Sequence, residues 1–372
     1  MKNYKKIMLL AFLMALTLAS CEKSEEEPWN PDAPTISNGA YILNQGNAYN
    51  HIEGSLNLID YAASKSSQSV FKGANGRTLG DSPQCGVAYG SKLYIGMSES
   101  RTIEIVDRST YKSLKQIRLD DVKFNGKSPR SMVANDGEVY ISMYEGYVAK
   151  LDTLSAAISA EVKVGPNPEI MCLHKGKLYV PNSDGNNYMV SYGKTASVID
   201  IDTFTVTDTF ETGLNPYEFF SDGNNLFLHC RGDYFSVPGM IYAIDSDLKG
   251  KEIAEATLVG YGAGKIYFVN QPYPKTTEEA DYKVYDIASG KISDWNIERP
   301  DYASAIAVDA LSGKLLVASY ILKTYPNADG STTTGADYDA PGYVNVYNLT
   351  GYAFEKKFSI GSGPAFIFFN TK

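Results

Sequence analysis

Residues 83–95 read Pro83-Gln84-Cys85-Gly86-Val87-Ala88-Tyr89-Gly90-Ser91-Lys92-Leu93-Tyr94-Ile95, and the parts of this stretch return along the whole chain. The apolar triplet Leu93-Tyr94-Ile95 has six counterparts: Ala40-Tyr41-Ile42, Val139-Tyr140-Ile141, Leu178-Tyr179-Val180, Leu226-Phe227-Leu228, Ile266-Tyr267-Phe268 and Leu315-Leu316-Val317. They stand 39 to 53 residues apart. A proline lies eleven residues before the triplet aromatic in four units, at Pro83, Pro129, Pro168 and Pro216. After each triplet comes an alternating run ending in an acid or its amide: Asp60, Asp107, Asp152, Asp202, Asp245, Asp286 and Asn348. Between Val87-Ala88-Tyr89 and the triplet sits Gly90-Ser91, and other units have Asp136-Gly137, Lys175-Gly176, Asp222-Gly223-Asn224 or Gly262-Ala263-Gly264. Gly, Asn and Asp tolerate the positive φ of tight hairpins.

These landmarks define four strands per unit. Strand A runs from the proline to the turn. Strand B is the triplet, strand C ends in the acid, and strand D is the next β-rich run, as in Lys115-Gln116-Ile117-Arg118-Leu119 or Glu161-Val162-Lys163-Val164. Apolar periodicity of 3.6 over ten or more residues is missing after residue 20. Four strands at a period of 40–50 residues predict an all-β, seven-bladed β-propeller spanning residues 38–372. The first unit lacks a strand A, and the chain ends in Gly363-Pro364-Ala365-Phe366-Ile367-Phe368-Phe369, a strand A without a strand B. The C-terminal strand is therefore expected to pair into the first blade and close the ring, which removes exposed sheet edges. A pair of β-sandwiches would explain neither the repeat nor the split unit.

The two ends of the remaining chain read differently. Lys2, Lys5 and Lys6 precede an apolar run from Ile7 to Leu18, too short to span a bilayer, so residues 1–20 read as a signal peptide. The run ends in Leu18-Ala19-Ser20-Cys21, which resembles a bacterial lipobox and implies cleavage before Cys21 and its lipidation. Residues 21–37 carry Glu25 to Glu27 and then Pro28, Pro31 and Pro34, the composition of an extended tether. That acidic run is similar to the surface-export signal of Bacteroides-type lipoproteins and implies an outer-membrane anchor facing the exterior. Net charge is −9, or −12 once residues 1–20 are removed, which disfavours nucleic acid as a partner. Cys85, Cys172 and Cys230 match no zinc or redox spacing and read as small buried hydrophobes.

Length variation points to one face. The distance from triplet aromatic to strand-end acid ranges from 12 to 32 residues, while the A–B turns stay short. All of that variation is expected in the B–C loops, which share a face with the D–A connections. These loops are dense in Asn, Gln, Tyr and Gly, and long loops on a rigid scaffold are where binding usually lies. Candidate ligand-binding residues are Asn44, Gln45, Tyr49, Tyr144, Asn182, Tyr188, Arg231, Tyr234, Asn270, Gln271, Tyr273 and Tyr320 from these loops. Arg130, Glu169 and Tyr217 join them because each follows a strand A proline. No catalytic constellation is evident. His51, His174 and His229 lack a metal-ligand spacing, Asn182-Ser183-Asp184-Gly185 and Asn327-Ala328-Asp329-Gly330-Ser331 lack the alternating acids of a calcium loop, and only Trp29 and Trp295 occur where a quinone-cofactor propeller has regular tryptophans. Neither a metal nor a catalytic cofactor is expected.

The opening Gly39-Ala40-Tyr41-Ile42-Leu43-Asn44-Gln45-Gly46-Asn47 with Gly54-Ser55-Leu56, and the repeat of Pro, Leu-Tyr-Ile and Ile-Asp, resemble the YncE-like propeller lipoproteins of Bacteroides-type bacteria. The resemblance extends to the cobalamin-binding surface lipoproteins of vitamin B12 uptake. It implies capture of cobalamin or another corrinoid on the open face and delivery to a TonB-dependent outer-membrane transporter. Two other classes stay open: an extracellular propeller enzyme of lactonase or lyase type, and a protein-docking propeller with no small ligand. The lipidation reading has its own test. Proteinase treatment of intact cells is expected to remove the domain, and Cys21→Ala to yield soluble protein or an uncleaved precursor. Protection of the domain until lysis would overturn surface exposure.

Overall fold

The computed structural model describes residues 30–120, 126–271 and 279–372, and within them the chain forms seven four-stranded antiparallel sheets. Cys21 and residues 1–20, where a signal peptide is expected, lie outside the described residues. Blade 1 comprises Ser37–Asn44, Ser55–Asp60 and Lys65–Ser67, completed by Pro364–Thr371. Blade 2 comprises Pro83–Tyr89, Lys92–Met97, Thr102–Asp107 and Ser113–Arg118. Blade 3 comprises Pro129–Asn135, Glu138–Met143, Tyr147–Asp152 and Ala157–Lys163. Blade 4 comprises Cys172–His174, Lys177–Asn182, Thr195–Asp200 and Thr205–Glu211. Blade 5 comprises Pro216–Ser221, Leu226–Cys230, Met240–Ile244 and Gly250–Glu255. Blade 6 comprises Leu258–Gly262, Lys265–Asn270, Asp281–Asp286 and Lys291–Asp294. Blade 7 comprises Tyr302–Asp309, Lys314–Tyr320, Pro341–Asn348 and Phe354–Ser362. Each triplet falls in the second strand of its blade, and the prolines Pro83, Pro129 and Pro216 begin strand A.

The core is divided among seven clusters, one for each interface between neighbouring blades. Successive residues of a strand point to opposite faces of its sheet. In blade 2, Leu93 and Ile95 therefore pack toward blade 1, while Tyr94 packs toward blade 3. Both faces of a blade are covered, so the centre of strand B must be apolar on both sides. That requirement is why the triplet lacks the polar alternation of a half-exposed strand. The A–B turns are tight, with Asp136 at φ 46° and Gly137 at φ 78°, the conformation the Asp-Gly pair supplies cheaply.

The ring closes as the split first unit predicts. Pro364–Thr371 pairs antiparallel with Ser37–Asn44, matching Ile42 with Ile367 and Leu43 with Phe366. Phe368 packs on Tyr41 with ring centroids 5.1 Å apart. Arg108 of blade 2 ties the closing strand down, donating from Nε to Asn370 Oδ1 at 2.9 Å and from the guanidinium to the Thr371 carbonyl. Residues 32–36 join the same region. The backbone N–H groups of Thr35 and Ile36 donate to the Lys372 carbonyl at 2.7 and 2.9 Å. Asp32 accepts from Tyr89 Oη at 3.1 Å and from the N–H of Asp136, in an A–B turn, at 3.0 Å. Residues 32–36 thus lie against the A–B face.

Length variation is less confined than expected. The blade 7 B–C loop holds an extra hairpin, Leu322–Pro326 paired with Thr332–Ala336, which accounts for its length. The connection from blade 1 to blade 2 also carries a short helix, Val70–Asn75, whose Phe71 is buried in the interface between those blades. Extra chain therefore enters the D–A connections as well as the B–C loops. Both lie on one face, so the face assignment survives while its restriction to B–C loops does not.

Deleting residues 364–372 is expected to remove the inner strand of blade 1 and expose Tyr41 and its neighbours. Truncating one buried aromatic costs about 3–5 kcal/mol, against a domain stability of roughly 5–15 kcal/mol. The truncated protein should fail to give a cooperative melt. A melting curve like the parent's would refute the strand pairing.

Candidate functional site

A cavity of about 880 Å³ opens on the propeller axis at the face of the B–C loops and D–A connections. All seven blades contribute to its wall. The reason is geometric: strand A of each blade starts at this face, and the loop after strand B ends beside it. Of the residues expected from sequence, Gln45, Arg130, Tyr144, Tyr217, Arg231, Tyr234, Gln271 and Tyr320 line the cavity.

One side of the cavity is a polar network. Gln45 Nε2 donates to Gln84 Oε1 at 3.4 Å, and Gln84 Nε2 stands 3.4 Å from Tyr144 Oη. Arg130 lies 5.8 Å from the Tyr144 ring centroid and 5.2 Å from that of Tyr217, and donates from Nη2 to Tyr217 Oη at 2.8 Å. Arg231 stacks on the same Tyr217 ring with Cζ 3.3 Å from its centroid. Burial pushes the Tyr144 phenol up to about 12, so it stays a neutral donor and acceptor. The other side is aromatic. Tyr320 meets Tyr302 and Tyr338 edge-on, with centroids 6.4 and 5.0 Å away, and burial pushes the Tyr320 phenol up to about 12.

Glu169 stands behind the wall. Its Oε2 accepts from Arg130 Nε at 2.5 Å, while Oε1 accepts from Asn167 Nδ2 at 3.1 Å and Ser183 Oγ at 3.0 Å. Both partners of the ion pair are buried. The carboxylate therefore holds the guanidinium in place, and the neighbouring charge raises Arg130 still further above its usual range.

The remaining expected residues are placed elsewhere. Asn44 and Asn182 are buried at the ends of their strands, where they brace the blades. Asn44 Nδ2 donates to Ser55 Oγ at 3.1 Å, and Asn182 Nδ2 to Ser197 Oγ at 3.0 Å. Space around Asn182 is so tight that a Cβ on Gly165 would stand 2.5 Å from its side chain. Asn270 reaches Glu255 Oε2 at 3.4 Å. Tyr49 and Tyr188 project from loop turns, 91% and 60% exposed. Tyr273 lies outside the described residues. The two stretches with a faint calcium-loop pattern are occupied in other ways: Asp329 Oδ1 caps its own turn through Ser331, and Ser183 serves Glu169.

Sequence reasoning missed Gln84, Phe235, Tyr302, Tyr338 and Ala365 in the wall. Gln84 and Ala365 each follow a strand A proline, so the offset that selected Arg130 and Tyr217 would have found them. Tyr302 carries no such mark because blade 7 begins strand A without a proline.

Beneath the cavity, Glu218 and His229 face each other across strands A and B of blade 5. Burial pushes the Glu218 carboxyl up to about 7, against the pull of Arg231 and Arg130. Burial and the charge of Arg231 push His229 down to about 4, so it is neutral near pH 7.

The profile of a domain of unknown function, DUF5074, matches residues 38–226, which covers three strands of blade 1, blades 2 to 4 and the start of blade 5. Among solved structures the chain is similar to Kuenenia stuttgartiensis hydrazine synthase, at 15% identity over 76% of this chain and 96% of that one, with a TM-score of 0.53. It is also similar to the dihydro-heme d1 dehydrogenase NirN in complex with DHE, at 12% identity over 90% of this chain and 67% of that one, with a TM-score of 0.55. At these identities the likeness is one of fold. No curated protein matches the sequence.

Two stability predictions follow from the buried charges. Glu169→Ala leaves the Arg130 guanidinium buried without its anion and should cost about 3–5 kcal/mol in urea unfolding. Glu218 has the opposite sign. Its folded pKa lies above that of a free carboxylate, near 4.3, so its ionisation costs nothing below about pH 4 and opposes folding increasingly as pH rises through 7. Glu218→Gln should match the parent at pH 4 and exceed it by about 1–3 kcal/mol at pH 8. An equal difference at both pH values would contradict the assigned titration.

Proposed function

The chain belongs to the DUF5074 domain family, and on that footing we propose that it is a cell-surface capture lipoprotein. It binds a corrinoid, cobalamin foremost, over the axial cavity and passes it to a TonB-dependent outer-membrane transporter. The observation that carries this reading is the mixed lining of the cavity wall. Amides and guanidinium groups come from Gln45, Gln84, Arg130 and Arg231, rings of Tyr144 and Tyr217 lie among them, and Tyr302, Tyr320 and Tyr338 form an aromatic cluster at blade 7. A corrin has an apolar plane rimmed by amide arms. Tyrosines suit the plane and the polar groups suit the arms. A volume of about 880 Å³ sits at the upper end of ordinary ligand pockets. A corrinoid with its nucleotide arm would fill it and still project from the mouth, which a carrier that hands its cargo on requires.

Two further observations support the orientation. Residues 32–36 dock on the A–B face, opposite the cavity, so a lipid-anchored tether would leave the mouth free. The B–C loops of blades 4 and 5, on the face of the cavity, expose Met189, Val190 and Phe235, each more than 80% accessible, which suits contact with a partner protein. An enzyme of lactonase or lyase type is the second reading. It is favoured by Glu218, whose carboxyl burial pushes up to about 7, close to where a general acid–base group works best.

Calorimetric titration with cyanocobalamin tests the first reading. Tyr144→Ala, Arg231→Ala or Tyr320→Ala should each cost about 2 kcal/mol, roughly thirtyfold in affinity, as anchors of a binding surface do. Ser91→Ala and Lys175→Ala, in A–B turns, should bind like the parent. Loss in the turn variants alone would invert the face. No heat or absorbance change with any corrinoid would refute capture and advance the enzyme, whose lactone turnover Glu218→Gln should abolish.

A further inference from the structure

The axial cavity has a charge pattern opposite to that of the chain. The sequence holds 43 acidic residues against 34 of Lys and Arg. Yet among the described residues no acid lines this cavity, and its charged groups are Arg130 and Arg231.

The two arginines differ in what surrounds them. Arg130 is committed to Glu169, whose carboxylate lies 2.5 Å from its Nε. Arg231 has no such anion: among the described residues, no carboxylate stands within ion-pair distance of it. Its Cζ lies 3.3 Å from the Tyr217 ring centroid, and the Tyr234 hydroxyl is its hydrogen-bonding neighbour. Arg130 donates to the hydroxyl of that same Tyr217, so the ring on which Arg231 rests is itself held in place. The side chain of Arg231 is partly exposed while its Nε is sealed from solvent. What it presents to the cavity is therefore the terminal nitrogens of the guanidinium.

A guanidinium drawn partly out of water without an anion is costly, and a bound anion offsets that cost. Its planar fork of N–H donors matches the paired oxygens of a phosphate or a carboxylate. Gln271 and Tyr144 supply neutral polar groups in the same wall, and Tyr302, Tyr320 and Tyr338 supply rings. Glu218, beneath the cavity, senses Arg231 without pairing with it, and burial pushes that carboxyl up to about 7.

We propose that the axial cavity is an oxyanion site, in which Arg231 takes the phosphate or carboxylate group of an anionic ligand and the tyrosines of the wall hold the ligand's apolar body. The corrinoid reading is deepened by this site, and one point rests on that reading: in cobalamin the group brought to Arg231 is the phosphodiester of the nucleotide arm.

The test is calorimetric titration of the whole chain at pH 6 with phenyl phosphate, benzoate and phenol, which share a ring and differ in charge. The better of the two anions, which identifies the preferred group, is expected to bind one to one and at least about tenfold more tightly than phenol, the value of one charge-assisted hydrogen bond. Arg231→Gln should bring that anion down to the level of phenol, and Arg231→Lys, which keeps the charge without the fork, should recover part of the loss. Lys175→Gln, which removes a cation from an A–B turn, should bind like the parent. Anions that bind the parent no better than phenol overturn the site, a comparison that needs no variant. So does an anion affinity unchanged in Arg231→Gln. A second series separates this site from the corrinoid reading. Cyanocobalamin should bind at least about tenfold more tightly than dicyanocobinamide, which lacks the nucleotide arm, and Arg231→Gln should remove that margin. Equal affinity for the two overturns the place given to the phosphodiester while corrinoid capture stands. Binding of neither overturns capture, and the phenyl phosphate series then decides the oxyanion site by itself.

Discussion

The fold depends on one contact repeated around a ring: the aromatic at the centre of each strand B packs into the following blade. Tyr41, Tyr94, Tyr140, Tyr179, Phe227 and Tyr267 do this in turn, and Leu316 does so at the last interface. The residues on either side of each aromatic pack into the preceding blade. No blade can bury both of its faces alone, and a four-stranded sheet exposed on two apolar faces would aggregate. Stability therefore belongs to the interfaces, and the interface between blades 7 and 1 exists only if the ring is closed. This makes the pairing of Ser37–Asn44 with Pro364–Thr371 a condition for the whole.

The same constraint decides where chemistry can sit. Strands B and C spend both faces on neighbouring blades. Only the starts of strand A and the loops at their level retain side chains with room to do anything else. The wall of the axial cavity consists of these positions, with Gln84, Arg130 and Tyr217 directly after strand A prolines and Tyr144, Arg231 and Gln271 directly after strand B. Asn44 and Asn182 show the limit of the rule. They stand one residue earlier, inside the strand, and packing claims them for the scaffold.

That one-residue boundary explains what was legible in the sequence. Blade number, strand order and closure could be read because each rests on local pattern: an apolar triplet, a turn that needs positive φ, a strand lacking its partner. The face could be read because insertions collect where backbone is exposed. Which residues converge could be read only in part. Arg130 and Tyr217 were found by their offset from proline, and Gln84 would have been by the same offset. The ion pair of Arg130 with Glu169 joins residues 39 positions apart; both follow a strand A proline in consecutive blades, so the repeat sets them side by side, but it does not say that their side chains pair. Glu218 and His229 were legible only as strand residues. Their character comes from the depth of the channel at their level, which is a property of the closed ring.

Electrostatics turns this geometry into selectivity. The chain carries a net charge of −9, yet its axis holds two guanidinium groups stacked about one tyrosine. Glu169 cancels one of them at close range. Glu218 would cancel the other, but burial opposes its ionisation until about pH 7. Screening weakens the negative surface field beyond a Debye length of roughly 8–10 Å, whereas the charges in the narrow channel are screened much less. An approaching anion is thus repelled weakly at a distance and attracted at the axis, while a cation meets the reverse. A neutral, amide-rich molecule meets neither barrier, and for it the tyrosines and glutamines of the mouth decide.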